Sequence, residues 1–567
     1  MFGLFVRPWR GTPWAGPLAA GLFGAGWPFL YATLAQAGGS ARSGSRPERE
    51  RRGGATLTEQ PGSRTPGAQG AGPATGPARR RSGWRNWPAA AAGLVSRHWV
   101  FCLALAAGAL LRLVVTAGFR PAILFGMDSY DYLWGAVHLS PDVVNPSGYS
   151  LLLWLLRPLH SLAFVVILQH LMGLAIATMI YVVLRRHGLP AWGATLAAVP
   201  ILLDPAQLLI ETLIMADLLA MALLVAALAV LVTRERPSAR RSALAGLLMG
   251  ASVIVRPTTL PLIVLIPVFL LVRRAGWRRA AAALAAGAVP VLGYMGWFAA
   301  VHGSFNMTES NGLFLWSRTM SFANCAVVQP PAELRQLCPE AQRGVLSQPV
   351  PARRLPPKRY LWKHLSWPWW DQAAPGIVPD KVPFTPANNA RALRFAVRAI
   401  EAQPLAYAAT VGTEALEPFT TTDMTLRFPQ HHPQTSTMDP ADLRYARAAI
   451  RAYTGTDQGL GPFLGIHFGT SFRQPFANLA IRYESMIFLP GPGLALIALT
   501  GLAGIALPRR RSATAMLLWL SSAVIIVLPI AMHEYTYRYA LPAVPLLCIA
   551  AALAFRRPGT AGQADTD

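Results

Sequence analysis

Apolar residues run through this chain in long blocks separated by short basic turns. A helix that crosses a bilayer needs about 20 apolar residues. Ten segments reach or approach that length: 98–118, 162–184, 189–203, 208–233, 242–255, 257–272, 280–300, 487–507, 513–531 and 540–555. The short pair 242–255 and 257–272 flanks Arg256-Pro257, where the pattern fits two short spans or one kinked pair. Residues 38–97 are rich in Gly, Pro, Ala, Ser and Arg and almost free of apolar periodicity, which predicts a disordered tail. Upstream, Ala35-Gln36-Ala37 has the look of a signal-peptidase site. Cleavage there would put an Arg-rich stretch outside the cell, so an amphipathic or dispensable extension is the favoured reading. The loops are unequal and no internal repeat is visible, which counts against transporters built from inverted repeats.

The pattern therefore predicts an all-α integral membrane protein of about ten transmembrane helices. Arginines in short loops mark the cytoplasmic side. Arg185-Arg186, Arg234 to Arg241, Arg273 to Arg279, Arg509 to Arg511 and Arg556-Arg557 all fall on one side if the tail is cytoplasmic. Residues 1–97 are then a disordered basic cytoplasmic tail, 98–300 hold helices 1–7, and 301–486 form a long extracytoplasmic segment. Residues 487–555 hold helices 8–10, and 556–567 a cytoplasmic C-terminal tail. The outer segment contains 13 of the 26 acidic residues, which agrees with the arginine signal.

Composition refines this picture in two places. The formal net charge of +25 would ordinarily raise nucleic-acid binding. Charged residues make up only 14%, however, and the basic ones gather in the tail and the cytoplasmic loops, so the excess is an orientation signal and no nucleic-acid partner is expected. Contact between the tail and anionic membrane lipids fits the same charge. Four cysteines exclude a disulfide scaffold or a Cys-rich metal cluster. Cys325 and Cys338 face the oxidising side and are expected to be bridged, while Cys102 and Cys548 read as small apolar residues within spans.

Candidate chemistry gathers at the outer ends of the spans. The first outer loop reads Phe125-Gly126-Met127-Asp128-Ser129-Tyr130-Asp131-Tyr132-Leu133-Trp134. An acid directly after a span is well placed as a general base, and Asp128 and Asp131 would share a face of a short helix. A membrane-surface helix with its aspartates in water fits the same residues. A carboxylate within a span costs roughly 3 kcal/mol at the centre, so Glu211 and Asp217 are functional candidates by default. Six residues apart on one helix, they point in different directions. Glu211 is the better secondary acid, and Asp217 a packing partner of Arg112. Arg256, Arg318 and Arg538 are placed to meet a phosphate at the outer surface. A snorkelling arginine is the bland alternative for each. Residues 360–370 hold four tryptophans, which prefer the headgroup layer; Trp367 is a candidate to line a substrate. His431-His432 lack further ligand-type neighbours, so a zinc site is not expected.

Asp128-Ser129-x-x-Tyr132 after the first span resembles the Asp-Glu/Asp-x-x-Tyr signature of the GT-C glycosyltransferases that use polyprenyl-phosphate sugars. Protein O-mannosyltransferases and aminoarabinose transferases belong to that superfamily. Pro146-x-Gly148-Tyr149, Glu211 to Asp217, Arg256-Pro257 and Tyr537-Arg538-Tyr539-x-x-Pro542-x-x-Pro545 follow in matching order. The resemblance covers roughly residues 98–555. Uncharacterised glycosyltransferases of high-GC Gram-positive bacteria are similar over Ser317 to Cys325 as well. It implies a GT-C-like fold and transfer of a sugar from a lipid-phosphate donor to an acceptor hydroxyl of a glycan, protein or lipid outside the cell membrane, with inversion. Asp128 is then the catalytic acid residue, with Asp131 and Glu211 behind it. Arg256, Arg538 and Arg318 contact the donor phosphate, and Tyr132, Tyr537 and Trp367 line the substrate. Ser129 replaces the family's second acid, so the carboxylate pair suited to a divalent cation is missing; a metal is not favoured and no other cofactor is implied. A lipid-linked glycan polymer ligase or a flippase are the rival readings.

Overall fold

The computed structural model describes residues 96–339, 357–362, 384–423, 426–429, 448–455, 471–507 and 512–556. The N-terminal tail, the remainder of the C-terminal tail, Trp367 and His431-His432 lie outside the described residues. Each of the ten apolar segments carries helix. In chain order the first part comprises α1 (Trp99–Gly118), β1 (Phe119–Arg120), α2 (Gly126–His138), α3 (Gly148–Leu156), α4 (Leu162–Arg186), α5 (Ala191–Leu203), α6 (Pro205–Thr212), α7 (Asp217–Val232), α8 (Ala239–Val255), α9 (Leu262–Val272) and α10 (Trp277–His302). The segment between the membrane halves contributes α11 (Asn311–Thr319), α12 (Pro386–Ala402), α13 (Pro404–Glu414), β2 (Ser471–Phe472) and α14 (Phe476–Met486). It is followed by α15 (Gly491–Ala506), α16 (Ala513–Met532), a turn of helix at Tyr537–Ala540, and α17 (Val544–Leu553).

Among the described residues α1, α4, α10 and α16 are each long and apolar enough to cross a membrane. Two further spans result if the bent pairs α5 with α6 (52°) and α14 with α15 (59°) each count as one. The stretches Asp217–Val232, Pro257–Val272 and Tyr537–Leu553 are shorter apolar helices. Leucines at the surface of these helices, such as Leu103, Leu113, Leu171 and Leu496, are open to the surroundings and have lipid as their natural solvent. This is a multi-pass membrane protein.

The helix expected over 208–233 is not continuous. The bend before it follows from Asp204-Pro205: the Asp204 side chain caps Ala206 N–H at 3.0 Å, and Pro205 starts α6 where its missing N–H costs nothing. α6 then stops at Thr212, and α7 begins at Asp217. Between them Leu213 pairs with Ile123 in a parallel bridge, and Ile214 N–H donates to Ile123 O at 3.0 Å. A second strand pair, β1 with β2, ties the end of α1 to the chain entering α14.

Small residues set the closest helix packing. α8 lies against α10 along Gly246 and Gly250, where an added Cβ would collide with the carbonyl oxygens of Ala283 and Gly287. Backbone approach of this kind is how membrane helices gain dispersion contacts without a hydrophobic driving force. Gly250→Leu is expected to destabilise the detergent-solubilised protein by about 3 kcal/mol, because the obstacle is main chain and cannot swing aside. Thermal unfolding would read this as a lowered midpoint, and an unchanged midpoint would count against the packing described.

The segment between the membrane halves has a core of its own. Leu313, Trp316, Met320, Leu337, Tyr360, Phe384 and Phe395 are buried together, and Trp316 donates its indole N–H to Leu337 O at 3.0 Å. The core is assembled from distant short stretches, which periodicity within any one of them does not reveal. Cys325 and Cys338 are joined by a disulfide beside it.

Candidate active site

Asp128 sits in the first turn of α2, where the helix dipole favours a negative charge. The chain reaches it through Gly126, whose φ of +48° lies in the left-handed region that suits glycine. Arg538, 410 residues later, donates from both Nη1 and Nη2 to Asp128 Oδ2 at 3.1 Å. The carboxylate keeps 30% of its surface exposed and the guanidinium 12%, so the pair lies at an opening, not in a sealed core.

Aromatic rings extend this pair into a row. The Arg538 guanidinium stands 4.8 Å from the Phe125 ring centre and 5.1 Å from that of Tyr539. Arg256 stands 5.1 Å from the same Tyr539 ring. Arg256 Nη2 in turn lies 2.6 Å from Oδ1 of Asp217, which is 1% exposed and starts α7. The contact is close but poorly aligned, and both Asp217 oxygens lack a well-directed hydrogen bond among the described residues. The order is thus acid, guanidinium, tyrosine, guanidinium, acid. Two negative and two positive charges balance, and each arginine is half-turned towards an aromatic face, from which a stronger anion can draw it.

Arg256 owes its place to a helix end. α8 stops at Val255 and Pro257 prevents its continuation. Gly148, at the start of α3, lies so close to Ile254 O that an added Cβ would stand 2.5 Å from it. Beside the row, Tyr132 packs edge-on against Tyr149 with ring centres 5.1 Å apart. Burial pushes the Tyr132 phenol well up; Asp128 adds to the shift and Arg256 opposes it. It is therefore a neutral wall and not a proton donor at ordinary pH.

A narrow cavity opens at the row. Its lining includes Asp217, Arg256 and Tyr539 together with the apolar Ala220, Leu224, Ile525 and Pro529.

Several candidates read from the sequence stand elsewhere. Asp131 is buried one turn further along α2. Glu211 is fully buried and belongs to a separate cluster: Arg112 Nη2 donates to Oε1 at 2.6 Å, Gln207 Nε2 donates to the same oxygen at 2.9 Å, and His170 Nδ1 lies 2.9 Å from Oε2. The expectation that Arg112 pairs with Asp217 and leaves Glu211 to the site is thus reversed. It assumed one helix across both acids, and the break at 213–216 removes the rotation on which it relied. Arg318 is fully buried, with Nη1 donating to Glu414 at 2.7 Å and to His533 O at 3.2 Å. It braces the turn that leads to Arg538 and does not reach the row. In the same turn Ser317 Oγ lies 2.9 Å from His533 Nδ1. Burial pushes that imidazole down to about 3, with Arg318, Lys358 and Arg538 adding to the effect, so it is uncharged. Tyr537 directs its hydroxyl to Leu489 O at 3.4 Å. Tyr539 is the member of the row that sequence reading did not select, and Asp217 the one it assigned to packing against Arg112. The Arg538 neighbourhood already displayed Tyr539, but only geometry tells it from Tyr537.

Ser129 Oγ donates inward to Ile214 O at 2.8 Å, and a guanidinium already holds the Asp128 oxygen. Among the described residues no three His, Cys, Asp or Glu side chains gather as a ligand set.

No family model matches the chain, and no curated protein matches it. Solved structures of an oligosaccharyltransferase from Archaeoglobus fulgidus do. One, a complex with Zn and sulfate, matches at 14% identity and a TM-score of 0.34 over 80% of this chain and 48% of that one. A second, described as AglB with an inhibitory peptide and a dolichol-phosphate, matches at 12% identity and 0.33 over 81% and 50%. A third, tethered to an acceptor peptide, gives 13% and 0.35 over 81% and 50%. This chain spans about half the length of those enzymes. Likeness at this level is too distant to assign a role to any residue, and the chemistry of the row has to be read from the chain's own side chains.

Proposed function

We propose that the protein is a membrane glycosyltransferase of GT-C type, which moves a sugar from a polyprenyl-phosphate donor to an acceptor hydroxyl at the outer face of the membrane. The observation that carries this reading is the row itself: a partly exposed carboxylate and two guanidiniums joined through the Tyr539 ring, with a narrow, largely apolar cavity beside Arg256. A lipid phosphate has the matching form, an anionic head on a hydrocarbon tail. The arginines supply paired donors for the phosphate, and the residues beside Arg256, among them Ala220, Leu224, Ile525 and Pro529, are apolar.

In this reading the acceptor oxygen attacks the anomeric carbon while the bond from that carbon to the phosphate oxygen breaks. Asp128 receives the acceptor proton. The leaving phosphate gains one negative charge as it departs, and Arg256 and Arg538 face it. Attack opposite the leaving group inverts the anomeric centre. Before the donor arrives, Arg538 is held by Asp128. The incoming phosphate draws the guanidinium away and leaves the carboxylate free to accept a proton, so binding of the donor prepares the base.

Purified protein given a polyprenyl-phosphate sugar labelled in the sugar, with a mixed set of glycan, peptide and lipid acceptors, is expected to release polyprenyl phosphate and label an acceptor. Movement of the intact donor across a vesicle membrane without cleavage would overturn the reading in favour of a flippase. Arg256→Ala is expected to weaken lipid-phosphate binding about 10-fold or more, the worth of a charged hydrogen-bonding partner. Equilibrium binding of polyprenyl phosphate checks this, and unchanged affinity would remove Arg256 from the phosphate site.

A further inference from the structure

A break in a membrane helix leaves carbonyls that lipid cannot satisfy, so whatever satisfies them fixes the geometry of the break. At 211–214 this is done largely by side chains. Gln169, in the first third of α4, donates from Nε2 to both Glu211 O and Leu213 O at 2.8 Å. Its Oε1 accepts the hydroxyl of Tyr149 at 2.6 Å. Every polar atom of the amide is used. Ser129 Oγ donates to Ile214 O at 2.8 Å and accepts Phe125 N–H at 2.8 Å. Gln169, Tyr149 and Ser129 are all buried.

These bonds lead to the row by two routes. The break begins at Leu213, and three residues after Ile214 the chain reaches Asp217. Through Ile123 and Ser129 the same break holds the loop and the first turn of α2, in which Asp128 adjoins Ser129. The Tyr149 ring, positioned by Gln169, backs Tyr132 one turn beyond Asp128. Arg538 comes from a different part of the chain, the turn braced by Arg318, and meets the break at Met215, whose Sδ stands 3.9 Å from Nη1.

We infer that Gln169, together with Tyr149 and Ser129, is a positioning residue for Asp128: a buried polar splice sets the carboxylate against the two arginines. The inference rests on the reading of the row as a glycosyl-transfer site and adds residues to it that touch no substrate. It explains Ser129 as well. A carboxylate at that position would place its charge against the Ile214 carbonyl, whereas a hydroxyl donates to it.

The splice predicts a separation of turnover from binding. Gln169→Met keeps the volume and loses every polar contact, and Tyr149→Phe loses a single hydroxyl. With labelled donor, Gln169→Met is expected to lower kcat by about 10- to 100-fold, the scale of a misplacement near 1 Å. Affinity for polyprenyl phosphate, measured by equilibrium binding, should stay within about threefold. Gln169→Glu, isosteric but without the two donors, should fail to the same degree. The double variant with Tyr149→Phe should be no worse than Gln169→Met by more than about twofold, since both act through one connection. Losses of kcat, lipid-phosphate affinity and thermal midpoint in step would show a merely structural residue and overturn the inference. So would full turnover in Gln169→Glu or Gln169→Met. Should Gln169→Met fail to fold, Tyr149→Phe decides alone: kcat unchanged overturns the proposal, and kcat lowered with binding retained supports it. The wild-type chain keeps the two questions apart. Without turnover there, the functional reading falls and this inference with it, whereas an active wild type with indifferent variants refutes only the splice.

Discussion

Asp128→Asn is expected to abolish most turnover while leaving the lipid-phosphate site intact. Removal of a positioned general base costs about 10²- to 10⁴-fold. The substitution keeps the size of the side chain and takes away the charge that holds Arg538 by two bonds. The freed guanidinium then serves the phosphate alone, so affinity for polyprenyl phosphate should hold or rise. Single-turnover assays with labelled donor, paired with equilibrium binding, would test both halves. Turnover within about threefold of wild type would exclude Asp128 as the base. Loss of turnover with an equal loss of affinity would mean that Asp128 organises the binding site and does no proton chemistry.

The second large effect concerns stability. Glu211 carries its charge in a fully buried cluster with Arg112, Gln207 and His170. Breaking such a pair from one side leaves the other charge uncompensated, at a cost of about 3–5 kcal/mol. Glu211→Leu should therefore lower the thermal midpoint sharply and reduce yield from membranes. Arg112→Leu combined with Glu211→Leu should recover most of the loss, because an apolar pair of similar volume suits that setting. A double variant as unstable as the single one would show that the cluster contributes more than charge balance, through Gln207 and His170. If instead Glu211→Leu is stable but inactive, Glu211 becomes a site acid again.

Much of this architecture is legible in the sequence because membrane helices announce themselves locally. Each apolar run from 98–118 to 540–555 carries helix, and the Arg256-Pro257 break lies where the pattern put it. Asp128, Arg256 and Arg538 stood out in the sequence as charged residues at the ends of spans, and for Asp128 and Arg538 it was the resemblance of their motifs that favoured a site over a bland surface role. What the sequence hid has a common cause. Asp217 and Glu211 exchanged roles because a glutamine on α4 and a serine on α2 support a break that no residue within 208–233 announces. Tyr539 and Tyr537 look alike in a row of aromatics, and only the crossing of Arg256 over one ring distinguishes them. Arg318 resembles Arg538 by type and sidedness, yet its partner Glu414 is supplied by a helix almost a hundred residues away.

The separation of Asp128 and Arg538 by 410 residues has a consequence for biogenesis. The ribosome delivers the acid early, and nearly all the remaining chain must be threaded before its cation arrives. Until the last helical hairpin is inserted, the nascent protein holds a carboxylate at the membrane surface with no guanidinium opposite and no complete grip on a phosphate. On the proposed function, assembly order then acts as a safeguard: an unfinished chain would not consume a lipid-linked sugar. A protein truncated after α15 should accumulate in membranes as an inert intermediate, one that a separately expressed α16–α17 hairpin can complete.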